Sequence, residues 1–124
     1  ESLQTKYSAV QSSLIVGFFW VAWHIPLFLT KDSGFATAYP LFSLGFWLWA
    51  ISLLSISIIM TWIFNHTEKS TLTAILFHFS MSAASGFFSF QPQMQSIMLV
   101  GFILFALFAL VVSGLSLSPK TLAR

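Results

Sequence analysis

Two long stretches without a charged residue constrain this chain more than any other feature of its sequence. They run from Ser33 to Thr67 and from Ser70 to Pro119. Because a helix of about 20 apolar residues crosses a bilayer core of about 30 Å, the first stretch has room for at least one crossing and the second for two. The apolar run from Ser12 to Leu29 adds another. The sequence therefore predicts an all-α, polytopic transmembrane helix bundle of about four transmembrane helices.

The composition agrees with a chain whose main partner is the lipid bilayer. Hydrophobic residues make up 57% and charged residues 6%, whereas soluble domains are about 25% charged. The net charge of +2 is small and scattered, so a nucleic-acid surface is excluded, since phosphate binding requires clustered Lys and Arg. The sequence contains no cysteine, so a bound metal would need His, Asp or Glu ligands.

The expected helices are separated by short polar connectors at residues 31–39, 65–70 and 91–95. Pro26 is expected to distort the end of the first helix, and Ser70 or Thr71 to cap the third. Trp47, Trp49 and Trp62 are candidate interfacial anchors. The four expected spans are Ser12–Leu29, Pro40–Phe64, Ser70–Phe90 and Ile97–Leu117.

The positive residues predict how the chain is oriented in the membrane. Lys31 is the one basic residue on its side of the predicted bundle, and the opposite side holds the other four. Cytoplasmic loops carry the excess of Lys and Arg, so both termini should be cytoplasmic. The basic residues of that side are Lys6, Lys69, Lys120 and Arg124.

Two histidines within apolar helices, His24 and His78, are the candidate functional residues, because ionisable groups inside a membrane usually face a bundle interior or a cavity. On the first helix, Ser13, Gly17 and Trp20 recur with His24 at helical spacing and should face protein. Their two helices would be parallel, so both imidazoles could reach one divalent ion, although their depths differ by about 5 Å at about 1.5 Å per residue. A catalytic zinc site takes three protein ligands, and the spans contain no carboxylate.

The segments around both histidines contain recognisable motifs. The segment Trp20–Leu29, WVAWHIPLFL, is similar to the motif F-x-x-x-H, with Trp20 in the Phe position. The segment Ser70–Ala84, STLTAILFHFSMSAA, is similar to the motif H-x-x-x-N, with Ser82 in the Asn position. Together they resemble motifs of the CPBP family of CAAX proteases and bacteriocin-processing enzymes. The segment Leu3–Val10 resembles the sequence that in this family follows the glutamate-pair motif, E-E-x-x-x-R, which this chain lacks.

The resemblance covers residues 3–87 and implies a multi-pass intramembrane metalloprotease, as in a bacterial cell membrane. It implies that His24 and His78 bind Zn²⁺ or another divalent metal, and that Ser82 replaces the Asn that stabilises the oxyanion. Prenylated CAAX proteins and bacteriocin-type peptides are the implied substrates. Residues 1–124 are then a single partial CPBP-like domain, a C-terminal fragment that is expected to be inactive alone.

Two other classes of function remain open at this stage. Two histidines on neighbouring membrane helices can be the axial ligands of one haem, as in an electron carrier. The chain could also be a non-catalytic membrane module with an immunity or partner-binding role, for which Ser82 and the missing carboxylates are arguments. Without the motifs, a core histidine hydrogen-bonded to a neighbouring helix would be the simpler interpretation of His24 and of His78.

Overall fold

The computed structural model describes residues 3–30, 33–88 and 92–117, and within these ranges the chain is helical and contains no strand. The all-α prediction is therefore confirmed. Short 3₁₀ helices lie at Leu3–Thr5 and Gly114–Ser116. The α-helices are α1 (Ala9–Leu29), α2 (Gly34–Ala38), α3 (Leu44–His66), α4 (Thr71–Phe88) and α5 (Pro92–Ser113).

Three helices of the described chain are long and apolar enough to cross a membrane, and α4 is a shorter apolar helix. The three are α1, α3 and a segment that includes most of α5, Ser96–Ser116. The apolar part of α4, Thr71–Phe87, is at the short end of the lengths that can cross a bilayer core, about 17–25 residues. This agrees with the prediction of an integral membrane protein with about four spans.

Helix α3 is the centre of the bundle, because α1 and α5 pack on it along their lengths and α4 contacts it more sparsely. Its buried residues include Ile59, which has no exposed surface. Close approach of α1 depends on Gly17, where an added Cβ would lie 3.0–3.2 Å from atoms of Leu54 and Ser57. Small residues permit such close packing of membrane helices.

Helix α1 begins earlier than the sequence predicted and ends at the predicted residue. The helix begins at Ala9, because Ser8 and Gln11 form a capping box in which each side chain accepts a hydrogen bond from the other residue's backbone N–H. It contains Pro26 and remains helical to Leu29, the residue at which the sequence predicted its end. Proline removes one backbone donor, and an apolar helix that has lipid or protein on all sides retains its other hydrogen bonds.

The connectors also differ from the prediction. Residues 31–39, predicted as a polar loop, contain the short helix α2, which Ser33 caps by accepting a hydrogen bond from the Ala36 N–H. The predicted turn at residues 91–95 is wrong from Pro92 onward, because α5 begins at Pro92, and proline is favoured in the first helical turn. Gln91 lies outside the described residues. The predicted cap of α4 is confirmed, since the Thr73 N–H donates to the Ser70 hydroxyl.

Candidate functional site

A cavity of about 550 Å³ lies between the helices, and both candidate histidines line it. His24 comes from α1 and His78 from α4, and Ser82, the third predicted site residue, lies on the same wall one turn after His78. The structure therefore brings all three residues to one cavity. Helices α2, α3 and α5 complete the walls with mainly apolar side chains, among them Phe35, Tyr39, Trp49, Leu53, Ile56, Met98, Leu99 and Phe102.

The ring of His24 is held by its own helix and by two aromatic side chains. Its Nδ1 lies 2.7 Å from the backbone carbonyl oxygen of Trp20. A carbonyl can only accept, so Nδ1 carries the proton and donates it, which leaves the lone pair of a neutral imidazole on Nε2. The ring also packs edge to face against Trp49 at 5.6 Å and lies 6.1 Å from Phe35. A metal-ligating histidine is commonly oriented through its other nitrogen in this way.

His78 is held differently, because its ring lies against the side chain of Trp20. The two ring centroids are 5.0 Å apart, and the ring planes meet at 66°. Within the described ranges, neither ring nitrogen of His78 has a hydrogen-bond partner, and the side chain is exposed. Trp20 precedes His24 by one helical turn of α1. Because the His78 ring lies against Trp20, His78 is about one turn away from His24 along the bundle, in agreement with the expected depth difference of about 5 Å.

Hydroxyl groups add polar character to the cavity. Ser52 on α3 is buried and donates a hydrogen bond of 2.7 Å to the Trp49 carbonyl, and Ser85 lies one turn beyond Ser82. Tyr39, at the end of α2, also lines the cavity, and burial raises the pKa of its phenol above the usual 10.0, so the group is neutral at physiological pH. Sequence reasoning missed Ser52 and Tyr39. The available signal for Ser52 was its place with Ser55 and Ser57 in the middle of an apolar span.

The donor atoms of the site fit part of a metal centre. Two imidazoles on adjoining walls of one cavity, one of them with its Nε2 lone pair free, are suitable ligands for zinc. Among the described residues, no three His, Cys, Asp or Glu side chains lie together. The two histidines would be at most two ligands of such a centre, and a third ligand would have to come from outside the described residues.

His66 shows which features of the site are specific. It also follows a tryptophan by four residues, and its Nδ1 lies 2.8 Å from the carbonyl oxygen of Trp62. Its ring packs against the Trp62 ring in a tilted arrangement with centroids 4.5 Å apart, and His66 does not line the large cavity. A hydrogen bond from Nδ1 to a carbonyl one turn back is thus common to both histidines. The distinguishing feature of His24 is a second histidine across the same cavity.

Comparisons with known proteins find relatives for the part of the chain that contains both cavity histidines and Ser82. A family model described as Type II CAAX prenyl endopeptidase Rce1-like matches residues 1–84. A CAAX prenyl protease 2 from Methanococcus maripaludis is 37% identical over 82 residues, which are 64% of this chain and 29% of that protein. The chain therefore spans less than a third of the length of this curated relative. No solved structure gives a significant match.

Proposed function

The chain belongs to the Rce1-like family of type II CAAX prenyl endopeptidases, and we propose that it forms part of a membrane-embedded, metal-dependent endopeptidase. The matched residues, 1–84, include α1 with His24 and α4 up to Ser82. The observation that carries the proposal is that His24 and His78, which lie 54 positions apart in the sequence, line one cavity.

We assign the two histidines to metal binding and Ser82 to the oxyanion. The Nδ1–H bond to the Trp20 carbonyl aims the free lone pair of His24 away from its own helix backbone. A divalent ion such as Zn²⁺, when bound, would polarise the scissile carbonyl as a Lewis acid. Ser82 lies one turn from His78 on the cavity wall, where its hydroxyl can donate to the oxygen that becomes negative during attack.

The general base of the reaction is proposed to be a carboxylate in a part of the whole protein outside this sequence. Glu68 is the one acidic residue in the described part of the chain, and it does not line the cavity. The described residues therefore place no carboxylate there. A carboxylate whose pKa suits proton transfer would take the proton from the attacking water. The 124 residues on their own are therefore proposed to be inactive.

The walls of the cavity suit an apolar substrate segment. Aromatic and aliphatic side chains from α1, α3 and α5 surround the two histidines, and no described lining residue carries a permanent charge. The name of the Methanococcus relative refers to prenylated CAAX proteins, and we extend that substrate class to this chain. Bacteriocin-type peptides are the alternative substrate.

The test is hydrolysis by the full-length protein that contains this chain, purified in detergent. Zinc content is measured beside the cleavage of a farnesylated CAAX peptide and of the same peptide without the lipid. His24→Ala and His78→Ala should abolish cleavage and reduce bound zinc, whereas His66→Ala, the matched histidine outside the cavity, should change neither.

Three results would overturn the proposal. A metal-free, folded protein that cleaves neither peptide would favour a binding module. A Soret absorption band lost in both histidine variants would instead establish haem ligation. Equal loss of cleavage in His66→Ala would show that the effect is structural and not specific to the cavity.

A further inference from the structure

Trp20 contacts both candidate histidines, and it does so with two different parts of the residue. Its backbone carbonyl accepts the Nδ1–H of His24 at 2.7 Å. Its indole ring packs against the imidazole of His78 with centroids 5.0 Å apart. We propose that Trp20 is the positioning residue that sets the orientation of both histidines relative to each other. The catalytic consequence of this role depends on the function proposed above, whereas the structural role does not.

The contact with the indole is important for His78 because little else restrains that ring. None of the described residues of α4 is buried, and within the described chain the imidazole nitrogens of His78 have no hydrogen-bond partner. Its ring could therefore rotate about two side-chain bonds into the open part of the cavity. Packing against a large, partly buried aromatic ring removes part of that freedom before any ligand binds, which is preorganisation of the site.

Trp20 is itself fixed, so it can act as a reference for the other two rings. It is half-buried and packs against the buried cluster of α1 and α3 that contains Phe28, Trp49 and Leu53. His24 touches the same cluster through Trp49 at 5.6 Å. One rigid group of aromatic side chains thus supports the orientation of both histidines, and Trp20 is its member in contact with His78.

The two contacts respond differently to substitution at position 20. The carbonyl belongs to the backbone, so any residue that keeps α1 helical should preserve the hydrogen bond from His24. The edge-to-face contact requires an aromatic ring, and phenylalanine can supply one because the geometry depends on the ring faces and edges. Leucine keeps an apolar side chain but is smaller and has no aromatic ring. Trp20→Leu should therefore release His78 alone, and Trp20→Phe should hold it.

The first experiment is nuclear magnetic resonance of the full-length protein with isotope-labelled histidine in detergent. The ring protons of His78, which packs against the indole ring at 5.0 Å, experience a ring-current shift, which Trp20→Leu should abolish and Trp20→Phe should largely keep. The nitrogen shifts of His24, which report that Nδ1 is protonated, should not change in either variant. Trp62→Leu is the matched control, and it should move the signals of His66 and leave those of His78 in place.

The second experiment measures peptide cleavage by the same variants. Removal of an outer residue that orients a ligand commonly costs about 10–100-fold in activity or metal affinity. Trp20→Leu should therefore lower kcat by about that factor with little change in KM, and Trp20→Phe should restore it to within a few-fold of the wild type. A general loss of folding would instead weaken substrate binding and thermal stability in both variants.

The outcomes separate this inference from the proposed function. If the wild-type protein cleaves nothing, the magnetic resonance result still decides whether Trp20 orients His78. If His78 signals are the same in the wild type and in Trp20→Leu, the positioning role is overturned, even for an active protease. If Trp20→Phe fails to restore the His78 signals, an aromatic ring is not what holds the histidine, and the inference is likewise wrong.

Discussion

The hydroxyl of Ser57 on α3 donates a 2.7 Å hydrogen bond to the backbone carbonyl of Ser13 on α1. Both residues are buried, with Ser13 1% and Ser57 3% exposed. The bond lies beside the close approach at Gly17, so α1 is fixed to α3 by polar and steric contacts together. Because His24 lies further along the same helix, this interface determines where the first half of the candidate site is held.

Ser57→Ala should weaken the bundle by a modest amount. Hydrogen bonds between membrane helices contribute about 0.6 kcal/mol on average and about 1.7 kcal/mol at most, since the separated helices find other partners. The measurement is the free energy of unfolding of the full-length protein in a detergent titration. Ser55→Ala is the matched control, because its hydroxyl donates to the Ile51 carbonyl within α3 and joins no second helix. Equal losses in the two variants would show that the bond between the helices adds nothing.

Gly17→Ala should destabilise the protein more than Ser57→Ala does. The new Cβ would lie 3.1 Å from the Ser57 Cβ and 3.2 Å from the Leu54 Cα, and backbone atoms cannot move aside without parting the helices. Overpacking of this kind typically costs about 1–3 kcal/mol. In Gly101→Ala the new methyl group meets no described atom within 4 Å, so that variant should be neutral or slightly stabilising. A stable Gly17→Ala protein would mean that the helices lie further apart than the structure places them.

Trp49→Ala should be strongly destabilising, whereas Trp47→Ala should be nearly tolerated. Trp49 is 8% exposed and packs with Phe28 at 4.8 Å, so its loss opens a cavity at a typical cost of about 3–5 kcal/mol. Trp47 is 52% exposed, and its main loss is an aromatic contact with Phe46, of about 0.5–1.5 kcal/mol. Thermal unfolding in one detergent gives both values. A similar shift in the two variants would contradict the structure's placement of Trp49 in the core.

The sequence predicted the helical class and the protein-facing side of α1, because both follow from local periodicity. Ser13 and Gly17 are buried against α3 as their spacing indicated. Sequence reasoning did not separate the tryptophans by role, however, and the prediction that Trp49 is an interfacial anchor is wrong, since it packs on His24 and Phe28. A tryptophan near the end of an apolar helix has the same local sequence in both roles, and tertiary packing decides between them.

The candidate site was predicted in part for a similar reason. Membrane histidines are rare enough to be singled out, so His24 and His78 could be named and their depth difference calculated. The contact of the Trp20 ring with His78 could not be predicted, because a contact between α1 and α4 depends on the rotation and tilt of each helix. Ser82 was named from its motif, and it lines the same cavity as His78.

Ser82 provides the most direct test of the proposed chemistry. If its hydroxyl stabilises the oxyanion, Ser82→Ala should lower kcat of the full-length protein by about a hundredfold or more and leave KM nearly unchanged, because the bond forms only as charge develops. Ser82→Asn, the residue of the family motif, reaches further into the cavity with an amide donor and should keep or raise kcat.

Ser80→Ala is the matched control on the same helix, because the Ser80 hydroxyl donates to the Leu76 carbonyl and does not line the cavity. It should leave kcat unchanged. A fully active Ser82→Ala enzyme would show that Ser82 has no role in the mechanism. The roles of His24 and His78 are tested separately, by His24→Ala and His78→Ala. An inactive Ser82→Asn enzyme would show that the asparagine amide cannot replace the serine hydroxyl at this position, contrary to the expected gain or retention of kcat.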